Sequence, residues 1–506
     1  MPVPAFPFAV LSGADIVVLA LMFIGVTAAG HWLGGRHVKD SRGFFLGDRS
    51  MPWWAVSTSM IATKVSALTF IALPASVFVE GGNLLYVQLT IGFALGNVLM
   101  AWIFVKPYYE QEIYSPYEFM GTRIDWRAAA LARVLFLVGT VLSQGVRLLA
   151  TSLVLEVITG WTLSSCILVI VVFSVLWSWM GGIKTVIWTD FILFILFMCG
   201  GVLAAVWAFT GAALPLPEVM QVLDDKAKLV FVELSLNPTL AFTIWTGLIG
   251  AAVFEMGSNA IDQVVTQRVM TCRNVKEARW ACIGSAAGIL PSYLMLLVGL
   301  GLVVFYHVHP LPAEVAHFAD RGQDRIFPYF VATEMPPGLA GAIIAALFAS
   351  GISTLDSALT ALSQTMVGGL LRGVMPGTNN NQSPDAAQER SVLFRSRLYV
   401  LVWGGVLGGM ALFLMSIQNN TETGLIQLGL QVPGYIYGSL LGIALLARFR
   451  RGTWTGVLIG AVISVGAVLM LKHFGVAFFW WYPVSAIVMF AVAGFNKNSV
   501  RSAHAP

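Results

Sequence analysis

From Gly341 to Ser357 the chain reads GAIIAALFASGISTLDS, a small-residue run carrying Ser350, Ser353, Thr354 and Ser357. At helical spacing these hydroxyls share one face. In a hydrocarbon setting each must be satisfied, because an unpaired polar group there costs several kcal/mol. The small residues around them let another backbone come close. Neutral oxygens presented in this way suit a hard monovalent cation such as sodium. Three charges also sit in apolar surroundings: Lys64 in SMIATKVSALTF, Arg147 in LSQGVRLLATSL, and Asp190 ahead of FILFILFM. Intramembrane charges mark functional sites and need partners. The acids within apolar segments are few: Glu156, Asp190, Glu255 and Asp356. We expect Glu255 to neutralise Lys64, with a substrate role or a sodium surrogate as the other readings of Lys64. Arg147 is then left to take a substrate carboxylate in a bidentate pair; the alternatives are a structural pair with Glu156 or Glu255, or snorkelling. Asp190 serves ion binding or gating, or else is an N-cap acid paired with Lys184.

The elements that must hold these residues are membrane-spanning helices. Hydrophobic residues make up 58% of the 506 and charged residues only 11%, against roughly 25% charged in a soluble domain. About thirteen apolar segments are long enough to span. They lie near 13–34, 53–79, 84–105, 128–158, 162–181, 186–211, 239–261, 279–307, 338–370, 396–416, 424–447, 453–471 and 475–495. The first has no basic run before it, so it reads as a span and not as a cleaved signal. With the N-terminus outside, 22 of the 29 Lys and Arg residues, Arg268 among them, fall on the inner side and 5 on the outer. That asymmetry gives an outside N-terminus and a cytoplasmic C-terminus in the cell (inner) membrane. The net charge of +4 reflects this bias and gives no reason to invoke nucleic acid.

The four cysteines and seven histidines lack metal-ligand spacing. No nucleophile–base pair or phosphate loop appears, which argues against an enzyme. Two loops are long, 212–237 and 308–337, and 377–384 is a polar, disorder-like run. Interrupted helices in corresponding positions of two halves point to a transporter binding site. Ala62 to Ala67, followed by Pro74, is one candidate break. Gly247, Gly250, Gly257, Ser258 and Asn259 supply its counterpart.

Four motifs together resemble the sodium:solute symporter family: SMIATKVSALTFIALPASVF (59–78), GGIKTVIWTD (181–190), DQVVTQR (262–268) and AALFASGISTLDS (345–357). They occur in the family's order and span most of the chain. The resemblance implies an all-α polytopic fold with a LeuT-like 5+5 inverted-repeat core. Residues 1–52 would form an extra N-terminal helix and loop, 53–211 the first five-helix repeat and 212–238 an external loop. The second repeat would occupy 239–447, and two trailing helices with a tail 448–506. It implies a sodium ion held by backbone carbonyls of Ala62 and Val65 on core helix 1 and of Ala346 on core helix 8, with the Ser350 hydroxyl. Ser353 and Asp190 would be accessory or second-site residues. Departures from the family pattern are Ala349, where a second hydroxyl is usual, Ile352, and Leu193 in place of Gln. Arg147 resembles the helix-3 arginine that pairs an acidic substrate in some members. Lys64, Gln88, Asn259 and Gln431 are further candidate substrate contacts. The expected function is sodium-coupled symport of a small polar solute, with a carboxylate favoured, by a protein working as a monomer. The alternative is a sodium-independent or proton-coupled carrier, or a transceptor, of the same fold.

Overall fold

The computed structural model describes residues 12–34, 49–111, 113, 115–178, 183–313, 315, 323–367, 386–420 and 424–494. The polar run 377–384 lies outside these, as do Gly181 and Gly182. The apolar segments form helices: α1 (Gly13–Gly34), α2 (Trp53–Lys64), α3 (Ala67–Phe78), α4 (Val87–Ile103), α5 (Trp126–Thr159), α6 (Leu163–Trp177) and α7 (Ile183–Gly211). After a long loop come α8 (Ala252–Ile261), α9 (Gln263–Val269), α10 (Ile289–Val308), α11 (Leu339–Thr365) and α12 (Ala386–Asn420). The chain continues through α13 (Leu425–Gln431), α14 (Tyr437–Arg448), α15 (Trp454–His473) and α16 (Trp481–Gly494). Among the described residues seven helices are long and apolar enough to cross a membrane, and nine if each bent pair is one span. The two bent pairs are α2 with α3, at 59°, and α13 with α14, at 44°. They are core helices 1 and 10 of the repeat.

The bend in core helix 1 falls at Val65 and Ser66, both in extended backbone. It frees the last carbonyls of α2 from intrahelical bonds. Pro74 lies inside α3, not at the bend. In core helix 6 the glycine-rich stretch does not break the helix. It stays helical from Thr246, through a π turn (Thr246–Ala251), to Ile261. The break comes at Asp262, in extended backbone, and Asp262 caps α9 by accepting from the Val264 N–H at 2.7 Å. The glycines serve close approach instead. A Cβ on Gly92 of α4 would lie 1.9 Å from the Gly247 carbonyl oxygen, and one on Gly247 would lie 2.4 Å from that of Gln88. This is small-residue packing of two membrane helices.

Core helix 8, α11, is the most enclosed span, with 89% of its apolar window buried, against 28% for α12 and α15. Its first turn is held from α1: Asp15 Oδ1 accepts from the N–H groups of Gly338 and Gly341, both at 2.7 Å. Gly338, with φ 87°, occupies backbone that favours glycine. The loop after α7 anchors the far end of core helix 1. Buried Lys228 donates to the carbonyls of Val77, Phe78 and Val79 at 2.9, 3.4 and 2.6 Å, where a cation complements the helix C-terminus. Lys228→Met is expected to lower stability by about 2 kcal/mol or more, since bonds to a charged donor are the stronger kind. Thermal unfolding of the purified protein reads this out, and an unchanged midpoint would contradict it.

Candidate functional site

Where the bend of core helix 1 meets α11 and α7 there is a cavity of about 10 Å³, bounded by Ala62, Val65, Asp190, Ser350, Ser353 and an apolar wall that includes Leu193. That is about the space one water or one small ion requires. The Val65 carbonyl points at α11 and accepts a 3.3 Å bond from the Ser350 hydroxyl. Ser353 donates to Asp190 Oδ1 at 2.8 Å, which orients its own lone pairs. Ala346, one turn before Ser350, is buried but does not line the cavity. Ala349 packs against Val26 of α1 and Leu193 of α7.

Asp190 is not paired with Lys184. Its Oδ2 accepts from Arg268 at 2.9 Å and from Ser59 at 2.6 Å. Arg268 donates further to Ser59 at 2.8 Å and Ser357 at 3.0 Å. Both partners are buried, with side-chain exposures of 2% for Arg268 and 4% for Asp190. Arg268, assigned from the sequence to a water-facing loop, is therefore interior. It closes a network joining α2, α7, α9 and α11. Because Arg268 compensates the Asp190 charge, a cation in the cavity would rest mainly on neutral oxygens. Asp356 stays buried on α11, one residue before Ser357.

Lys64 forms an ion pair with Glu255 of α8, the partner expected from the scarcity of intramembrane acids. Glu255 also accepts from Asn97 at 2.9 Å and from Asn259 at 3.4 Å, and Asn259 donates to Asn97 at 2.8 Å. Asn259 is fully buried beneath the pair. Its amide nitrogen is committed to that network, and its Oδ1 has no partner. Gln88 is occupied elsewhere. It accepts from the Glu233 N–H at 3.0 Å and donates to the Phe242 carbonyl at 3.3 Å, fastening the loop after α7 to α4. Gln431 ends α13, five residues before the bend of core helix 10 at Ile436; it is half-buried, and its side chain makes no hydrogen bond among the described residues.

Arg147 is different in kind. Glu156 is taken by Arg325 at 2.7 Å and Glu255 by Lys64. Arg147 Nη1 donates to the Thr63 carbonyl at 2.7 Å, one residue before Lys64. No carboxylate among the described residues lies within ion-pair distance of it. The ionisable groups in its electrostatic reach are Tyr437 and Asp262. Thr63 precedes the bend of core helix 1, Asp262 is the break of core helix 6, and Tyr437 opens α14 after the bend of core helix 10. One unmatched guanidinium thus stands where three interrupted helices converge. The same face of α5 carries Gln144, whose side-chain oxygen is buried without a partner among the described residues.

The residues that sequence reasoning missed are Asp262, Tyr437, Ser59 and the interior position of Arg268. Asp262 and Arg268 begin and end DQVVTQR. The available signal was the number of intramembrane acids: with Lys64 taken by Glu255, Asp190 still needed a cation.

The profile described as "Sodium:solute symporter family" matches residues 44–464. The chain is 26% identical over 500 residues to the sodium/sialic acid symporter SiaT of Proteus mirabilis, covering 96% of this chain and 93% of that protein. It is 25% identical over 456 residues to sodium-coupled monocarboxylate transporter 2 of Bos taurus, covering 89% and 71%. A solved structure of a Na⁺-coupled sialic acid symporter in a substrate-bound outward-open state superposes with a TM-score of 0.79 at 24% identity, covering 95% of this chain and 97% of that one. That likeness carries the inverted-repeat fold. A profile matching most of the chain, on helices interrupted around one small cavity and one unmatched arginine, identifies a transporter and not an enzyme: the chain belongs to the sodium:solute symporter family.

Proposed function

We propose that the protein moves a small carboxylate-bearing solute into the cell together with sodium, by alternating access. The observation that carries this is Arg147, half-buried and without a carboxylate partner among the described residues, where three interrupted helices meet. One of its nitrogens is pinned by the Thr63 carbonyl, and its remaining donors suit the planar fork of a carboxylate. Sodium would lie between core helices 1 and 8. Its ligands would be the carbonyls of Ala62, Val65 and Ala346 and the Ser350 hydroxyl, with Ser353 and Asp190 at the margin. Carbonyls released by a bent helix are suited to this role. The relatives named for monocarboxylate and sialic acid transport support an acidic solute. Gln431 is a candidate to contact the solute's uncharged part. Lys64 and Asn259 would act indirectly, by fixing core helix 6 to core helix 1, and Gln88 by fixing the loop.

The two sites share one segment. An ion on Val65 orders the end of α2, and Thr63, two residues away, positions Arg147. Sodium therefore raises solute affinity and the solute raises sodium affinity by the same factor. The basic-residue asymmetry favours an outside N-terminus, a cytoplasmic C-terminus and a cell (inner) membrane location. Both sites lie within one chain, which fits a functional monomer.

Ser350→Ala is expected to raise the sodium concentration for half-maximal uptake at least tenfold, because a lost ligand should exceed the ~1.4 kcal/mol that tenfold represents. Ala349→Ser, which puts a hydroxyl where the family usually has one, should lower it. Sodium titrations of uptake in proteoliposomes measure both. An unchanged sodium requirement in Ser350→Ala would remove Ser350 from the site.

A further inference from the structure

A second cavity, of about 570 Å³, opens at the end of α4 away from the sites described above. Among the described residues its lining includes Lys106, Arg123, Arg279, Arg448 and Arg450 against a single acid, Glu110. Lys106, Arg279, Arg448 and Arg450 against Glu110 alone leave a balance of +3, before Arg123 is counted. Glu110 is engaged by Lys106 at 3.5 Å, with both side chains more than half exposed. The Nε atoms of Arg279 and Arg448 donate to the carbonyls of Ala101 and Ile103, at 3.3 and 2.9 Å, on the last turn of α4. That capping fixes both guanidiniums while their Nη groups make no hydrogen bond among the described residues. Arg450 is exposed and held at φ 52°. That is the left-handed residue closing the end of α14, where the Arg451 N–H donates to the Leu446 carbonyl at 2.9 Å.

Helix capping explains two of these arginines. It does not explain why three more cations, from the Val105–Glu110 and Pro116–Arg123 helices and the turn after α14, crowd the same space. Like charges in one pocket repel, and an anion there removes the repulsion. Trp102 and Phe449 line the pocket and are 60% and 56% exposed. Arg279 stacks over the Trp102 ring at 4.4 Å. Exposed aromatic rings at the end of a span belong to the membrane–water border. Basic pockets between spans at that border recognise anionic headgroups.

We propose that this pocket binds the phosphate of an anionic phospholipid, with Arg279 and Arg448 as preoriented donors and Lys106 and Arg450 completing the charge. The exposed rings would flank the first carbons of the acyl chains, which a soluble phosphate lacks. The site bridges α4, the Val275–Gly284 helix and the end of α14, so a bound lipid ties three elements together.

The test uses full-length protein in neutral detergent. Thermal unfolding is followed while phosphatidylglycerol, phosphatidylcholine or inorganic phosphate is added. Phosphatidylglycerol alone should raise the midpoint. R279Q/R448Q should weaken its apparent affinity at least ~10-fold. Because those arginines also cap α4, K106Q/R450Q serves as a second variant. It removes no helix cap, should fold normally, and should still weaken the lipid response severalfold. Equal midpoints with phosphatidylglycerol and phosphatidylcholine would overturn the proposal. So would an undiminished lipid response in K106Q/R450Q, or an equal shift with inorganic phosphate.

Discussion

Asp190→Asn is expected to be the most damaging single substitution among the site residues. It leaves the Arg268 guanidinium charged and almost fully buried, with its remaining hydrogen bonds among the described residues going to Ser59, Ser357 and the Val264 carbonyl. Removing one member of a buried pair costs about 3–5 kcal/mol, a large share of the roughly 5–15 kcal/mol that holds a typical protein folded. Arg268→Gln should do comparable harm from the other side. The double variant Asp190→Asn/Arg268→Gln should recover part of the loss, because it removes both charges and keeps groups able to hydrogen-bond. Lys184→Ala should cost less than Asp190→Asn, because the Asp190 carboxylate is held by Arg268, Ser59 and Ser353 and not by Lys184. Unfolding midpoints of the four variants, with uptake measured on the folded fraction, check this. Equal losses in Asp190→Asn and Lys184→Ala would restore the capping role and remove the ion pair from the account of the site.

Arg147→Lys should weaken solute binding by about 2 kcal/mol or more, roughly thirtyfold, the lower end of the range for truncating a buried charge pair. An ammonium offers no planar fork and cannot hold the Thr63 carbonyl and both oxygens of a carboxylate in one plane. Sodium binding without solute should barely change, because the ion cavity is lined by Val65 and Ser350 and not by Arg147. Stability should change little too, since Arg147 forms no ion pair among the described residues and lysine keeps a positive charge near Asp262. Isothermal binding with and without sodium separates these effects. A solute without an acidic group, or full affinity in Arg147→Lys, would defeat the carboxylate assignment.

Much of this architecture was legible in the sequence because the bilayer makes backbone satisfaction obligatory. Spans announce themselves as apolar runs, and a bend announces itself where polar residues interrupt one, as at Lys64 to Ser66. The pairing of Lys64 with Glu255 was legible for a similar reason: an embedded cation needs an acid, and few acids were present. The break in core helix 6 was misplaced because glycine reads as a helix breaker in isolation. Gly247 lacks a side chain so that α4 can lie against it, a reason visible only with both helices in place. Arg268 misled for the opposite reason. A charge at the end of an apolar run reads as the start of a loop, and only the fold brings Asp190, 78 positions away, to meet it. Gln88 looks like a solute contact until its amide is seen to hold the loop after α7, while the Asn259 nitrogen is taken by the Asn97–Glu255 network and its oxygen is left without a partner among the described residues.

The central claim, that solute movement is driven by sodium through these two adjoining sites, is tested most directly in proteoliposomes at constant pH. Uptake of a radiolabelled monocarboxylate is measured with an inward sodium gradient, with sodium replaced by choline, and with a proton gradient alone. The expected result is concentrative uptake only with the sodium gradient, saturable in sodium and shifted at least ~10-fold by Ser350→Ala. Equal uptake in choline, or concentration driven by the proton gradient alone, would contradict it.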